Sequence, residues 1–281
     1  MCAARTEDGS LIWRNDTVGQ RSAGQSGLSP QGYMLASESR LFVTSARALP
    51  AAFDRDTGRY LYQSGDSWRS SGLVGGTFAL LAGDHLLCGA NLATGYAQDT
   101  GRGGFAWFPC RKLVVAEDAA YMTTDAVPTK TSGPELTEEV SCLAFDAYVE
   151  ANREQHALER KLSGVARKLS DLNRALKSEN GKPADQQDED RIAELEKSVA
   201  EVQAQVDDLK EQIAKVQTED LEPQIKWHTP SECSLSLILA GDVVCAGGED
   251  LVTAYDAATG EEVWRSEVEG EARGLAAAGS A

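Results

Sequence analysis

Ala254-Tyr255-Asp256-Ala257-Ala258-Thr259-Gly260-Glu261-Glu262-Val263-Trp264 is the stretch on which the reading of this chain turns. An apolar strand runs into a tight turn, and a second strand leaves it, closed by a large aromatic. Aspartate suits the turn because its carboxylate accepts hydrogen bonds from nearby backbone N–H groups. Glycine suits it because it reaches positive φ without a Cβ clash. Trp264 then brings a large apolar surface to a place where a sheet needs covering. The chain repeats this frame. Ala52-Phe53-Asp54-Arg55-Asp56-Thr57-Gly58-Arg59-Tyr60-Leu61-Tyr62 carries Tyr62 in the tryptophan place, and Gly9 and Trp13 keep the same interval in Glu7-Asp8-Gly9-Ser10-Leu11-Ile12-Trp13. A weaker copy runs from Asp99-Thr100-Gly101 to Phe105, with Ala97 where the first aspartate would stand.

Working outward, short strands with turn signals between them recur about every 40 residues, the period of a propeller blade. Residues 2–17 read as the tail of one unit, followed by a Gly/Ser/Gln-rich link from Gly19 to Pro30. The first full unit contains Gly32–Ser37, Arg40–Thr44 and the Asp54–Tyr62 hairpin. The second contains Thr77–Leu81, His85–Cys88 and the Gly101 hairpin. The third opens with Lys112–Ala116 and Ala120–Thr123, passes a loop from Val127 to Leu136, and reaches Ser141–Asp146. A turn and a strand ending in tryptophan are expected there. Instead about 78 helical residues intervene, and the strand resumes at Gln224-Ile225-Lys226-Trp227, so that Asp146 and Trp227 form a split copy of the frame. The fourth unit runs from Leu235 to Trp264, and Ala272–Ala278 reads as the first strand of a fifth, cut short. The chain begins inside a repeat, so its natural start is expected to lie upstream.

The interruption has the clearest periodicity in the sequence. Leu158, Leu162, Val165, Leu169, Leu172 and Leu176 alternate spacings of four and three, and so do Ile192, Leu195, Val199, Val202, Val206, Leu209, Ile213 and Val216. Each set is the a/d seam of a heptad helix. Glu179-Asn180-Gly181-Lys182-Pro183 separates them, a break that neither helix could run through. Two similar helices leaving and re-entering one hairpin must run antiparallel, each reaching roughly 50 Å. The expected organisation is β-propeller blades over 1–146, a coiled-coil helical hairpin over 147–224, and propeller blades again over 225–281.

Composition narrows the partners. At 281 residues the chain can bury a large core, and its net charge of -17 argues against nucleic acid and anionic membranes, which need a basic face. The insert remains acidic, with 12 Lys and Arg against 18 Asp and Glu. No apolar run is long enough for direct membrane insertion. The six cysteines, Cys2, Cys88, Cys110, Cys142, Cys233 and Cys245, form no C-x-x-C and read as small buried hydrophobes, with a cross-strand disulfide left open.

The frame Asp-x-x-Thr-Gly-x-x-x-Trp resembles the tryptophan-docking repeat of the pyrroloquinoline quinone (PQQ) propellers. Asp256, Thr259, Gly260 and Trp264 match it fully. Asp54, Thr57 and Gly58 match with Tyr62 in place of Trp, whereas Gly9 with Trp13, and Asp146 with Trp227, match in part. The resemblance implies an all-β propeller of about four to five four-stranded blades, partial in this chain, with an inserted antiparallel α-helical hairpin. A five-bladed ring with rearranged strands is the structural alternative. In the partial propeller, exposed end strands would favour poor solubility or pairing with missing sequence. It also implies that the aromatic packs between neighbouring blades.

That family is similar in fold across quinoprotein alcohol dehydrogenases, which bind PQQ and Ca²⁺, and BamB-like outer-membrane assembly propellers, which bind other proteins. PQQ and calcium therefore enter only through the resemblance, as does an extracytoplasmic location. The vicinal Cys-Cys pair of the dehydrogenases is absent from the sequence, as are C-x-x-C-H, G-x-S-x-G, a P-loop and G-x-G-x-x-G. His85, His156 and His228 are isolated in sequence, and Asp54 and Asp256 read as turn formers rather than Ca²⁺ ligands. The expected function is a non-catalytic binding or scaffold module, with a protein partner on the propeller face or the helical arm. The alternative is part of a PQQ/Ca-dependent dehydrogenase.

Overall fold

The computed structural model describes residues 1–15, 30–45, 51–63, 78–89, 93–108, 110–124 and 138–278. The loop at 127–136, and the link at 19–30 apart from Pro30, lie outside them. The chain divides into two compact units, Met1–Phe145 with Lys226–Ala281, and Asp146–Ile225.

The first unit is mostly β, built from antiparallel sheets of the kind a propeller blade has. Strands β1 (Cys2–Ala4) and β2 (Leu11–Arg14) form a hairpin. Four four-stranded meanders follow in chain order. Sheet I comprises β3 (Pro30–Ala36), β4 (Arg40–Ser45), β5 (Ala51–Asp54) and β6 (Tyr60–Gln63). Sheet II comprises β7 (Phe78–Ala82), β8 (His85–Gly89), β9 (Ala93–Ala97) and β10 (Gly103–Phe108). Sheet III comprises β11 (Lys112–Ala116), β12 (Ala119–Thr123), β13 (Glu139–Ala144) and β14 (Ile225–Pro230). Sheet IV comprises β15 (Ser236–Ala240), β16 (Val243–Gly247), β17 (Glu249–Asp256) and β18 (Glu262–Glu271).

The core lies between successive sheets, because runs such as Leu113–Ala116 and Val243–Ala246 leave both faces of a strand apolar. Phe42 and Ala52 of sheet I meet Ala79, Leu86, Cys88 and Tyr96 of sheet II. Tyr121, Val140, Cys142 and Trp227 of sheet III meet Leu237, Val244, Ala246 and Tyr255 of sheet IV, with Cys233 among them. Arg111 Nη1 also donates to Ser234 Oγ at 3.2 Å. All six cysteines are free thiols. Burial pushes the Cys110 thiol up to about 12, so it stays protonated and unreactive.

One strand expectation is corrected. Residues 272–278 form no strand. β18 runs on to Glu271, Gly270 turns the chain at φ 83° with its N–H donating to Asp250 Oδ1, and Ala272 folds back to donate to Gly248 O at 2.9 Å. Short alanine-rich sequence has no apolar alternation to hold it in a sheet, and the backbone groups of Ala272 are met by sheet IV instead.

The second unit is helical. Helix α1 (Phe145–Asn180) starts directly at the end of β13, and α2 (Glu189–Val216) follows the Gly181–Pro183 break. Asp188 caps α2, its side chain accepting from Arg191 N at 3.0 Å. On α2 the seam residues Leu195, Val202, Val206 and Val216 are buried, as is Leu158 on α1, while the residues between them are almost all exposed. Leu172 and Ala175 of α1 and Leu195 of α2 line one shallow groove. Past Val216 the helix widens into a π-turn (Gln217–Leu221), and a 3-10 turn (Glu222–Gln224) delivers the chain to β14. No helix among the described residues is long and apolar enough to cross a membrane.

Candidate functional site

The residues singled out in the sequence gather at the turns between the third and fourth strands of the sheets. In sheet I, Asp54 Oδ1 accepts from Thr57 N at 2.9 Å and from Thr57 Oγ1 at 2.7 Å. In sheet IV, Asp256 Oδ1 accepts from Thr259 N at 2.8 Å and Thr259 Oγ1 at 3.1 Å. The Thr57 and Thr259 donors hold both carboxyls below the usual aspartate range. The threonine hydroxyls in turn accept from Arg59 N and Glu261 N. These oxygens are spent inside their own turns.

The glycines follow from the same geometry. Gly58, Gly101 and Gly260 lie at φ 68°, 67° and 73°, and each donates its N–H to the carbonyl four residues back, on Asp54, Ala97 and Asp256. The turn presents a bare Cα, and an aromatic from the preceding sheet fills the space over it. Trp13 covers Gly58, Tyr62 covers Gly101, and Trp227 covers Gly260, each so closely that a Cβ on the glycine would fall inside the ring. The ring's polar atom is met three residues before the glycine. Trp13 Nε1 donates to Arg55 O at 2.8 Å, Trp227 Nε1 to Ala257 O at 3.0 Å, and the Tyr62 hydroxyl to Gln98 O. Burial pushes the Tyr62 hydroxyl up to about 12.

Sequence reasoning missed a third contact. Asn15 Nδ2 donates to Gly58 O, and Thr229 Oγ1 donates to Gly260 O at 2.8 Å, each from the residue two beyond the tryptophan. A polar residue at that spacing after the aromatic is a signal the repeat frame could have included.

Sheet III breaks the rule. By pairing register, Ala144 opposite Ala119 is the counterpart of Asp54 opposite Arg40, Ala97 opposite His85, and Asp256 opposite Val243. Asp146 therefore stands two residues past the turn position, in the first turn of α1, where a carboxylate faces the helix N-terminus. Asp146 matches the frame in sequence, but the backbone fixes the register through Phe145 N, which donates to Asp118 O at 2.8 Å as Arg55, Gln98 and Ala257 donate in their sheets. The helix replaces the receiving turn. Phe145 stacks instead on Phe108, with ring centroids 5.9 Å apart and planes 10° apart, and lies 6.4 Å from the His85 ring.

At the two extremes the motif stands open. Trp264 is 52% exposed, whereas Trp13 and Trp227 are 9% and 8% exposed. Gly9, at φ 71°, sits in a turn with the same backbone bonds (Gly9 N to Arg5 O, Arg5 N to Ser10 O), yet a Cβ there would meet nothing within 4 Å. His85, His156 and His228 lie on β8, α1 and β14. Among the described residues no three His, Cys, Asp or Glu side chains converge as a metal site requires.

The joints define a class: a repeat protein whose antiparallel sheets are keyed to one another by an aromatic on one sheet and a glycine turn on the next. The family model described as outer membrane protein assembly factor BamB matches residues 214–279, and over those residues the chain carries the PQQ-like propeller repeat. No curated protein matches the chain. Among solved structures it is similar to the computationally designed Ika8 protein, with a TM-score of 0.46 and 9% identity over 94% of this chain and 54% of that one. It is similar to BamB from Moraxella catarrhalis, with a TM-score of 0.43 and 12% identity over 94% and 56%. A europium-containing methanol dehydrogenase gives 0.42 and 10% identity over 84% and 41%. The chain thus spans about half the length of the first two.

Proposed function

We propose that this chain is a non-catalytic scaffold, a partial PQQ-like β-propeller that binds a protein partner and carries an antiparallel coiled-coil arm. The observation that carries the reading is the use made of the motif. Asp54, Asp256 and their threonines bond within their turns, and Trp13, Tyr62 and Trp227 lock one sheet to the next. That chemistry leaves a rigid stack of sheets and supplies no nucleophile, base or ligand. The arm is supported by the buried α2 residues Leu195, Val202, Val206 and Val216 and by the largely half-buried seam of α1, with the residues between them almost all exposed. Antiparallel pairing of those seams makes it a polar projection suited to recognising another protein. An extracytoplasmic location, in the cell envelope, accompanies the likeness to the assembly propellers.

The test is a titration of the protein with PQQ and Ca²⁺, followed by absorbance and by dye-linked alcohol oxidation. The expected result is neither stoichiometric uptake nor turnover. Uptake with turnover would sink the scaffold reading and establish the dehydrogenase alternative.

A further inference from the structure

Charge is divided unevenly between the two helices of the second unit. On α1, residues 153–177 carry seven Lys and Arg against three Asp and Glu, whereas α2 carries four Lys and Arg against eight Asp and Glu. The α1 cations are also ordered. Arg153, Arg160, Arg167 and Arg174 recur every seven residues, so they follow one line about 10 Å apart over roughly 30 Å. In the heptad set by the Leu158–Leu176 seam that line is the f position, turned away from a and d. Lys161 and Lys168 follow at g, and all six side chains are exposed. Arg153 and Arg174 pair with Glu150 and Asp171 of their own helix, at 3.1 and 3.2 Å. Arg160, Lys161, Arg167 and Lys168 have no ion pair or hydrogen bond among the described residues. Beside Arg167 and Lys168 lies the shallow groove, with Leu172 and Leu195 as apolar lining and Arg191 of α2 as a third cation. Gly164 leaves it open, since a Cβ there would meet nothing within 4 Å. Its one carboxylate, Asp171, is held by Arg174.

We propose that this face of α1 docks an acidic amphipathic helix of the protein partner, an inference that rests on the scaffold reading and gives the partner a chemistry. Carboxylates repeating every seven residues on that helix meet Arg160, Arg167 and Arg174 in register, and an apolar side chain enters the groove beside Lys168 and Arg191. The spacing selects a helix, because two helices packed lengthwise keep a seven-residue register over several turns. A nucleic acid or an anionic bilayer is broader than one helix. It would also lie against Glu194, Glu196 and Glu201, exposed on α2, and be repelled there. Exposed ion pairs are individually weak, so recognition needs the array acting together. The four cations without partners give up no existing bond when a carboxylate arrives. The net charge of -17 opposes an acidic partner at long range, but at about 0.15 M ionic strength that repulsion is screened beyond about 8 Å while contact pairs persist.

The experiment is fluorescence anisotropy at about 0.15 M ionic strength, titrating the 281-residue chain into a labelled peptide. The probe is a helical peptide of about four heptads with Leu at a and d and Glu at e and g, whose own pairing the glutamates oppose. Binding is expected, and a scrambled peptide of the same composition should bind at least about tenfold more weakly. Combining Arg160→Gln, Arg167→Gln and Arg174→Gln should weaken the patterned peptide at least about tenfold. Combining Lys197→Gln, Lys210→Gln and Lys215→Gln changes the charge of α2 by the same amount and should leave affinity within about twofold. Circular dichroism separates lost binding from lost helix, and Arg167→Gln alone is the milder variant, expected to cost about threefold. A wild type that ignores the patterned peptide, a scrambled peptide that binds as well, or equal losses in the two triple variants would each overturn the proposal. So would displacement of the peptide by vesicles of pure phosphatidylglycerol or by a single-stranded oligonucleotide, which would assign the stripe to a polyanion. Failure here leaves the scaffold reading standing, whereas PQQ uptake with turnover sinks that reading whether or not the peptide binds.

Discussion

Trp227 and Trp264 occupy the same position on the last strands of adjacent sheets, and they live in different surroundings. Trp227 is 8% exposed, with its ring over Gly260, its N–H on Ala257 O and Thr229 beside it. Trp264 is 52% exposed, and it is not one of the rings that cover a turn glycine among the described residues. The side chain is the same, so its worth is set by the turn on the neighbouring sheet. The repeat is a pair of half-sites, and only joined halves stabilise anything.

The largest effect should come from filling a joined half-site. Gly260→Val forces a branched side chain into the Trp227 ring at φ 73°, combining overpacking with backbone strain. A loss of about 3 kcal/mol or more is expected in denaturant unfolding. Trp227→Ala should cost about 3–5 kcal/mol, the range for removing a buried aromatic. An unfolding midpoint for Trp227→Ala equal to that of Trp264→Ala would break the comparison. Thr229→Val should cost about 1 kcal/mol, the net worth of one hydrogen bond.

Smaller effects appear as pH dependence. The Tyr62 hydroxyl is raised to about 12 by burial, so the stability it contributes is complete below the ordinary value near 10 and is lost as pH climbs through the raised one. Tyr62→Phe should flatten the alkaline limb of the stability profile. The Asp54 and Asp256 carboxyls shift the other way, so their contribution is complete above about 3.9 and is lost as pH falls through the lowered values. Asn at both positions should flatten the acid limb, read by thermal melts from neutral to acid pH. Trp264→Ala should be close to neutral.

The four-strand units and both helices were legible because their signals are local. Turn glycines, short apolar runs such as Lys112–Ala116 and the a/d spacing of Leu158–Leu176 are each read from neighbouring residues. The register of sheet III was less legible. Asp146 looked like the turn aspartate, but cross-strand pairing with Ala119 assigns that place to Ala144, and pairing is a non-local property. The contacts of Asn15 and Thr229 were hidden for the same reason, since their partners lie 43 and 31 residues away. The alanine-rich 272–278 segment misled because composition alone does not distinguish a strand from a chain whose backbone is met elsewhere.

Where α1 leaves sheet III has a further consequence. β13 and β14 are neighbours in that sheet, so the insert's two attachment points are about one strand spacing apart, roughly 5 Å. A module with termini that close adds little loop-closure entropy whatever its length. The turn of sheet III is thus a socket: helical hairpins of other lengths, or unrelated small domains with adjacent ends, could be grafted between Phe145 and Ile225 without altering a strand. The aromatic stack of Phe145 on Phe108 marks the residue at which such a graft should begin.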